Sequence, residues 1–247
     1  MNNNISNTNS NINKGIKREE ISKILKFTKK ERIKKSRELS LHVCTRYYRP
    51  PEIIIGENYD YSADIWGIGC IFAELLLLKK KARIKSQTQN IFLKGDYCLP
   101  LSPKITESSE NSDQLEVILN TLGKPNDEDT CFITIEENLK YIKNMTKIPK
   151  KRISEIFPGI TSLEADLLSK MLEFNPYFRI SAEECLKHSY FDNVVDKIPF
   201  QPSKDKIKLD FGIGKEMSVN ALHEIIGKEL HYYKKINEVT DFKLKSS

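Results

Sequence analysis

Thr45-Arg46-Tyr47-Tyr48-Arg49-Pro50-Pro51-Glu52 is the stretch on which the fold turns. Pro50 and Pro51 lack an amide donor and crowd the preceding turn, so no helix runs through them, although Pro51 suits the first turn of a new one. Shortly downstream stands Asp64-Ile65-Trp66-Gly67-Ile68-Gly69-Cys70-Ile71, where Asp64 is expected to cap a helix. In that helix Ile65, Trp66, Ile68, Cys70, Ile71, Phe72, Ala73 and Leu75 occupy most of the circumference. A helix apolar all round is expected at the centre of a larger body.

Working toward the C-terminus, residues 80–112 are mostly polar and read as an inserted loop. Residues 113–122 carry Leu115, Ile118, Leu119 and Leu122 at helical spacing, with Gly123 and Pro125 as stop signals. Thr161 with Glu164, and Ser181 with Glu184, have the three-residue spacing of capping boxes. Between them, Asn175-Pro176 closes the first of these helices. A last amphipathic helix is expected from about Ser218, with Leu222, Ile225, Ile226 and Leu230 on one face. There is no internal repeat, and the expected class is mainly α.

Toward the N-terminus the character changes. Residues 1–13 contain seven Asn and few apolar groups, too few to offset the entropy of ordering. Residues 14–37 hold eleven Lys or Arg against three Asp or Glu. That segment alone exceeds the whole chain's net charge of +6, so the basicity is local. A short apolar spacing at Ile21, Ile24 and Leu25 allows a transient helix there, and order is expected to begin near Leu39. A solvated basic stretch, an acidic partner, a nuclear import receptor and RNA all remain open for this segment. RNA is the weaker, because Phe27 is the only aromatic residue among the basic ones.

The five cysteines, Cys44, Cys70, Cys98, Cys131 and Cys185, are scattered without a paired spacing, which argues for reduced thiols and against a zinc site. The most apolar run, residues 65–78, is 14 residues long, short of the ~20 a bilayer span needs. No membrane partner and no secretory leader are expected, and the cytoplasm or nucleus is the expected location.

The two stretches quoted first, together with Asn175-Pro176-Tyr177-Phe178-Arg179-Ile180 and His188, resemble the activation-segment end and later helices of protein kinases. Pro50-Pro51-Glu52 stands where that family usually has Ala-Pro-Glu. Thr45-Arg46-Tyr47-Tyr48-Arg49, the stretch Asp113-Gln114-Leu115, and the tail from Pro199-Phe200 onward are similar to MAP kinases. Atypical MAP kinases of protozoan parasites, with charged insertions in the activation loop, are the nearest likeness. The resemblance covers about residues 40–233. It implies a disordered insertion at 1–39, a partial helical C-terminal lobe at 40–198 with the MAP-kinase insert at about 80–125, and a C-terminal extension at 199–247. The N-terminal β-rich lobe is expected to be absent.

The resemblance also implies roles. Glu52 would pair with Arg179, and Asp64 would accept hydrogen bonds from the catalytic loop. Thr45 would help position a substrate hydroxyl. Arg49 would ligate an activation-loop phosphate and shape a pocket favouring proline after the target Ser or Thr, with Arg46 as a second phosphate ligand. Ser40 is a candidate phosphorylation site. His42 stands where the family has its second phosphorylated residue, and the acidic docking cluster of the extension is reduced to Asp210 and Glu216. Protein substrates and an upstream kinase are the implied partners, with ATP and magnesium as the family's cofactors.

The Gly-rich loop, the lysine–glutamate pair, the catalytic-loop residues and the metal-binding aspartate are not found ahead of Ser40. Asp210-Phe211-Gly212 comes in the wrong order to supply the last. No catalytic residue, cofactor or metal ligand is therefore expected in this chain. Two functions stay open: a MAP-kinase-type serine/threonine kinase represented by its C-terminal part, and a non-catalytic kinase-lobe fragment that binds other proteins.

Overall fold

The computed structural model describes residues 17–34, 39–40, 43–81, 91–98, 112–144, 148–195 and 217–245. The described residues are helical; their only β feature is an isolated bridge between Tyr97 and Asp113. The chain divides into two compact units, Met1–Ile198 and Pro199–Ser247.

In the first unit, α1 (Arg18–Phe27) and α2 (Lys29–Lys34) come from the basic segment. Ile21 and Leu25, one turn apart, are 5% and 3% exposed and join the main core. Glu19 and Glu20 sit at the positive end of the α1 dipole and Lys26 at its negative end. Disorder through residue 39 is thus corrected for residues 17–34. Two buried aliphatic side chains and several polar anchors order a segment whose composition alone reads as solvated.

α3 (Pro51–Ile54) starts on Pro51 and is buried throughout. α4 (Ser62–Lys81) begins two residues earlier than its expected cap. The Ser62 amide donates to Asp60 Oδ1 at 2.9 Å, while Asp64 lies exposed in the first turn. Asp64 as N-cap is corrected accordingly. Ala63, Ile65, Trp66, Cys70, Ala73 and Leu76 of α4 are buried. The opposite face is not: Ile68, Ile71, Leu75 and Leu78 are each about half exposed. The helix is apolar all round but covered on one side.

α5 (Gln114–Leu122) is capped by the Asp113 carboxylate, which accepts from the Leu115 amide at 2.9 Å. It is followed by α6 (Glu136–Asn144), α7 (Ile153–Ile156), α8 (Ser162–Met171), α9 (Ala182–Leu186) and α10 (Asp192–Val195). Both capping boxes form: Glu164 and Glu184 return to the amides of Thr161 and Ser181. α8 packs along α4 through Ile65, Leu167 and Met171, with Cys185 of α9 completing the cluster. Lys79 of α4 reaches Glu164 at 2.7 Å.

The second unit contains α11 (Val219–Lys245), whose first turn is tied by the Ala221 amide to Ser218 Oγ. Leu222, Ile226 and Leu230 are exposed along it. Asp210-Phe211-Gly212 and Glu216 lie outside the described residues, as does His42.

Candidate functional site

From Val43 the chain passes through a bend at Cys44 and a short 3-10 turn, Arg46–Tyr48, into α3. Cys44 has a positive φ of 62°, a left-handed conformation uncommon outside glycine, and the chain bends there ahead of Thr45. Thr45 is exposed, and its carbonyl accepts from the Tyr48 amide at 2.9 Å.

Arg49 is buried, 5% exposed. Its Nε donates to the Val43 carbonyl at 3.2 Å and its Nη2 to the Cys44 carbonyl at 3.1 Å. Arg46 donates to the carbonyls of Asp96 and Gly95. Both guanidinium groups influence Cys98: burial pushes that thiol up, and the two arginines pull only part of the way back. The turn is therefore closed around two cations that brace backbone carbonyls. The Ser40 carbonyl accepts from the Tyr59 hydroxyl at 3.0 Å.

Below the turn lies a buried ion pair. Arg179 Nη1 and Nη2 donate to the two oxygens of Glu52, each at 2.6 Å, and neither side chain is exposed. The remaining donors reach the carbonyls of Glu173 at 2.9 Å and Ser62 at 2.9 Å, and the guanidinium lies over the Trp66 ring. A buried pair is tolerable only when its other hydrogen-bonding capacity is met in this way.

Several positioning residues were not legible in the sequence. Gln114, fully buried, accepts from the Gly95 amide at 2.9 Å and donates to the Leu93 carbonyl at 3.1 Å. A Cβ on Gly95 would meet the Gln114 backbone at 2.6 Å, so glycine is required there. Glu74 accepts from the Tyr48 hydroxyl and the Phe92 amide, tying the turn to the inserted stretch. Glu57 accepts from the amides of Thr134 and Ile135. Arg18 pairs with Glu173 and lies over Phe178, and Arg32 donates to the Phe132 carbonyl. Glu74, a lone carboxylate within an apolar run, carries a signal of such a role in the sequence, whereas Arg18, Arg32 and Glu57 stand beside other polar residues and carry none.

The arrangement braces backbone carbonyls around a turn and ties that turn to a buried ion pair. Among the described residues, no group of three or more His, Cys, Asp or Glu could hold a metal ion.

Comparison with known families matches residues 9–191 to the protein kinase domain. The chain belongs to the protein kinase family. Its similarity lies with MAP kinases. Extracellular signal-regulated kinase 1 of Dictyostelium discoideum is 34% identical over 193 residues, 78% of this chain and 32% of that protein. Mitogen-activated protein kinase 2 of Arabidopsis thaliana is 32% identical over 215 residues, 84% of this chain and 51% of the relative. Mitogen-activated protein kinase 4 of Oryza sativa subsp. japonica is 33% identical over 204 residues, 82% and 48%. The chain thus spans about a third to a half of the length of these relatives. The family match also takes in residues 9–39, ahead of the motif resemblance that begins near residue 40.

Proposed function

We propose that this chain is the substrate-side, C-terminal part of a MAP-kinase-type serine/threonine kinase acting in intracellular signalling, in the cytoplasm or nucleus. The observation that carries this reading is the Glu52–Arg179 pair beneath a turn braced by Arg46 and Arg49. In this role Thr45 positions the acceptor hydroxyl, and Arg49 shapes a pocket that favours proline after it. Residues 199–247 form a C-terminal extension, and residues 80–125 a MAP-kinase insert. Phosphoryl transfer draws its ATP- and magnesium-holding groups from outside these 247 residues. Protein substrates and an upstream kinase are the partners.

The experiment is to read the natural transcript around this segment and assay the protein it encodes on peptides with Ser-Pro or Ser-Ala. Transfer to Ser-Pro peptides, lost on Thr45→Ala, supports the reading. Phosphate transfer by the isolated 247-residue chain would refute the division of labour.

The exposed apolar stripe of α4 favours a second reading, a non-catalytic lobe that binds proteins. A natural transcript encoding only these residues, with a folded product inert toward ATP, would select it.

A further inference from the structure

The basic segment holds the folded body at few points, and one of them adjoins the buried ion pair. In α1, Ile21 and Leu25 are buried while Ile24 and Phe27 are exposed, and α2 buries no residue. Ser22 is buried with the docking face, and its hydroxyl makes no hydrogen bond, standing beside the weakly accepting Cys131 thiol. Arg32 donates through its two Nη atoms to the carbonyls of Phe132 and Leu25, yet its Nε is buried without a partner. Two orphaned polar groups set against two aliphatic side chains make a contact that opens more readily than the core beneath it.

The start of α1 reaches further. Arg18 pairs with Glu173, whose side chain is 11% exposed, and its guanidinium lies 4.9 Å from the centre of the Phe178 ring. Lys150 also faces Glu173, but at 3.7 Å, which leaves Oε2 without a hydrogen bond. The Glu173 carbonyl accepts from Arg179 Nε at 2.9 Å, and Arg179 holds Glu52 in α3, directly after the Arg46–Tyr48 turn. Arg18, Glu173, Arg179 and Glu52 thus link α1 to the turn by an unbroken series of contacts.

We infer that residues 17–34 are a releasable strap. Docked, the strap holds Glu173 and Phe178 in place and steadies the Arg179–Glu52 anchor of the turn. Released, it leaves Glu173 with Lys150 alone, and the turn loosens. The two states differ in contacts at both ends of the series, which is what coupling between strap and turn requires. That the strap thereby tunes substrate binding rests on the substrate-side reading above, whereas the coupling itself does not.

The test follows amide exchange in the 247-residue chain at three places. These are residues 17–34, the hydrogen-bonded amides of Tyr48, Arg49, Ile53, Ile54, Ile55 and Glu57, and α5 as a reference. Ser22→Ala removes the orphaned hydroxyl and should slow strap exchange about threefold, with the turn moving in the same direction. Leu25→Ala should speed exchange about tenfold or more in the strap and about threefold at the turn, with α5 unchanged. Arg18→Ala should loosen the turn in the parent but add nothing in a Leu25→Ala background, since a released strap no longer brings Arg18 to Glu173. Arg18→Lys, which keeps the charge, should restore part of the protection. In the kinase encoded by the natural transcript, Leu25→Ala should raise the peptide KM about threefold and leave that for ATP unchanged. An inert kinase would sink the substrate-side reading and leave the exchange data to decide the coupling. Turn exchange indifferent to every strap variant, additive effects of Arg18→Ala and Leu25→Ala, faster strap exchange in Ser22→Ala, or an unchanged peptide KM in an active kinase overturns the inference.

Discussion

Glu52 and Arg179, 127 residues apart in sequence, meet as a two-pronged ion pair with both side chains wholly buried. The pair joins α3 to the turn after α8, and through Ser62 to the start of α4. Replacing Glu52 by Ala strands a guanidinium in the core, at a cost of about 3–5 kcal/mol. Replacing both partners with apolar residues of similar size should recover most of that loss. Urea unfolding of the single and double variants distinguishes the two. A single variant as stable as the parent would show that the pair is not structural.

How far the sequence revealed this architecture depends on the range of each interaction. The capping boxes at Thr161 and Ser181 and the proline start of α3 were legible because donor and acceptor lie within one turn. Asp64 has the residue type and position of a cap, yet it is Asp60 Oδ1 that accepts from the Ser62 amide. Nothing local announces the Glu52–Arg179 pair, whose partners are 127 residues apart; only the family resemblance implies it. The roles of Arg18 and Glu57 are not legible because their partners are distant and their residue types are ordinary on surfaces. Residues 17–34 read as solvated for the same reason: Ile21 and Leu25 count for little by composition, but both are buried by a surface assembled from distant segments.

Docking of α1 should therefore be sensitive to a single side chain. Leu25→Ala removes a nearly fully buried group and should cost about 2–5 kcal/mol locally. The expected result is faster amide exchange and earlier proteolysis within residues 17–34, with α4 and α8 less affected. Because Arg18–Glu173 and Lys29–Glu136 lie toward solvent, added salt should increase the same exchange modestly. Uniform protection in parent and variant would contradict this docking.

Gly123 and Gly159 offer a controlled comparison of strain with collision. Both have positive φ, 91° and 92°. A Cβ at Gly123 would stand 2.3 Å from the Pro149 carbonyl oxygen, whereas one at Gly159 would meet nothing within 4 Å. Gly159→Ala should thus show the backbone cost alone, about 1–2 kcal/mol. Gly123→Ala should lose more, because residues 149–150 must also move. Equal thermal shifts for the two variants would show that the contact at Gly123 carries no weight.

Thiol labelling should follow exposure. Cys44 is exposed, whereas Cys70, Cys98 and Cys185 are buried. Burial, reinforced by Glu74, pushes Cys70 up to about 12, so almost none of it is thiolate near neutral pH. In native protein Cys44 should react first with a maleimide, and Cys70 only after unfolding. Early modification of Cys70, read by peptide mass, would show that α4 opens readily.

Acid should act on the α4–α8 contact through Glu164. Burial pushes its carboxyl up, but the Lys79 ammonium at 2.7 Å and the Thr161 amide at 2.8 Å outweigh this and hold it below the ordinary carboxylate value. The folded state therefore prefers the charged form. Its contribution is complete above the unfolded carboxyl's pKa and is lost as pH falls through the lower folded value. Glu164→Gln keeps an acceptor for the Thr161 amide but removes the charge facing Lys79. The variant should be less stable than the parent at neutral pH and converge with it in acid, because the parent's extra term disappears there. Asp166, held low by Lys170 and His188, titrates with the same sign, so the comparison is best made in an Asp166→Asn background. Parallel stability curves for parent and Glu164→Gln across the acid range would remove Glu164 from the account.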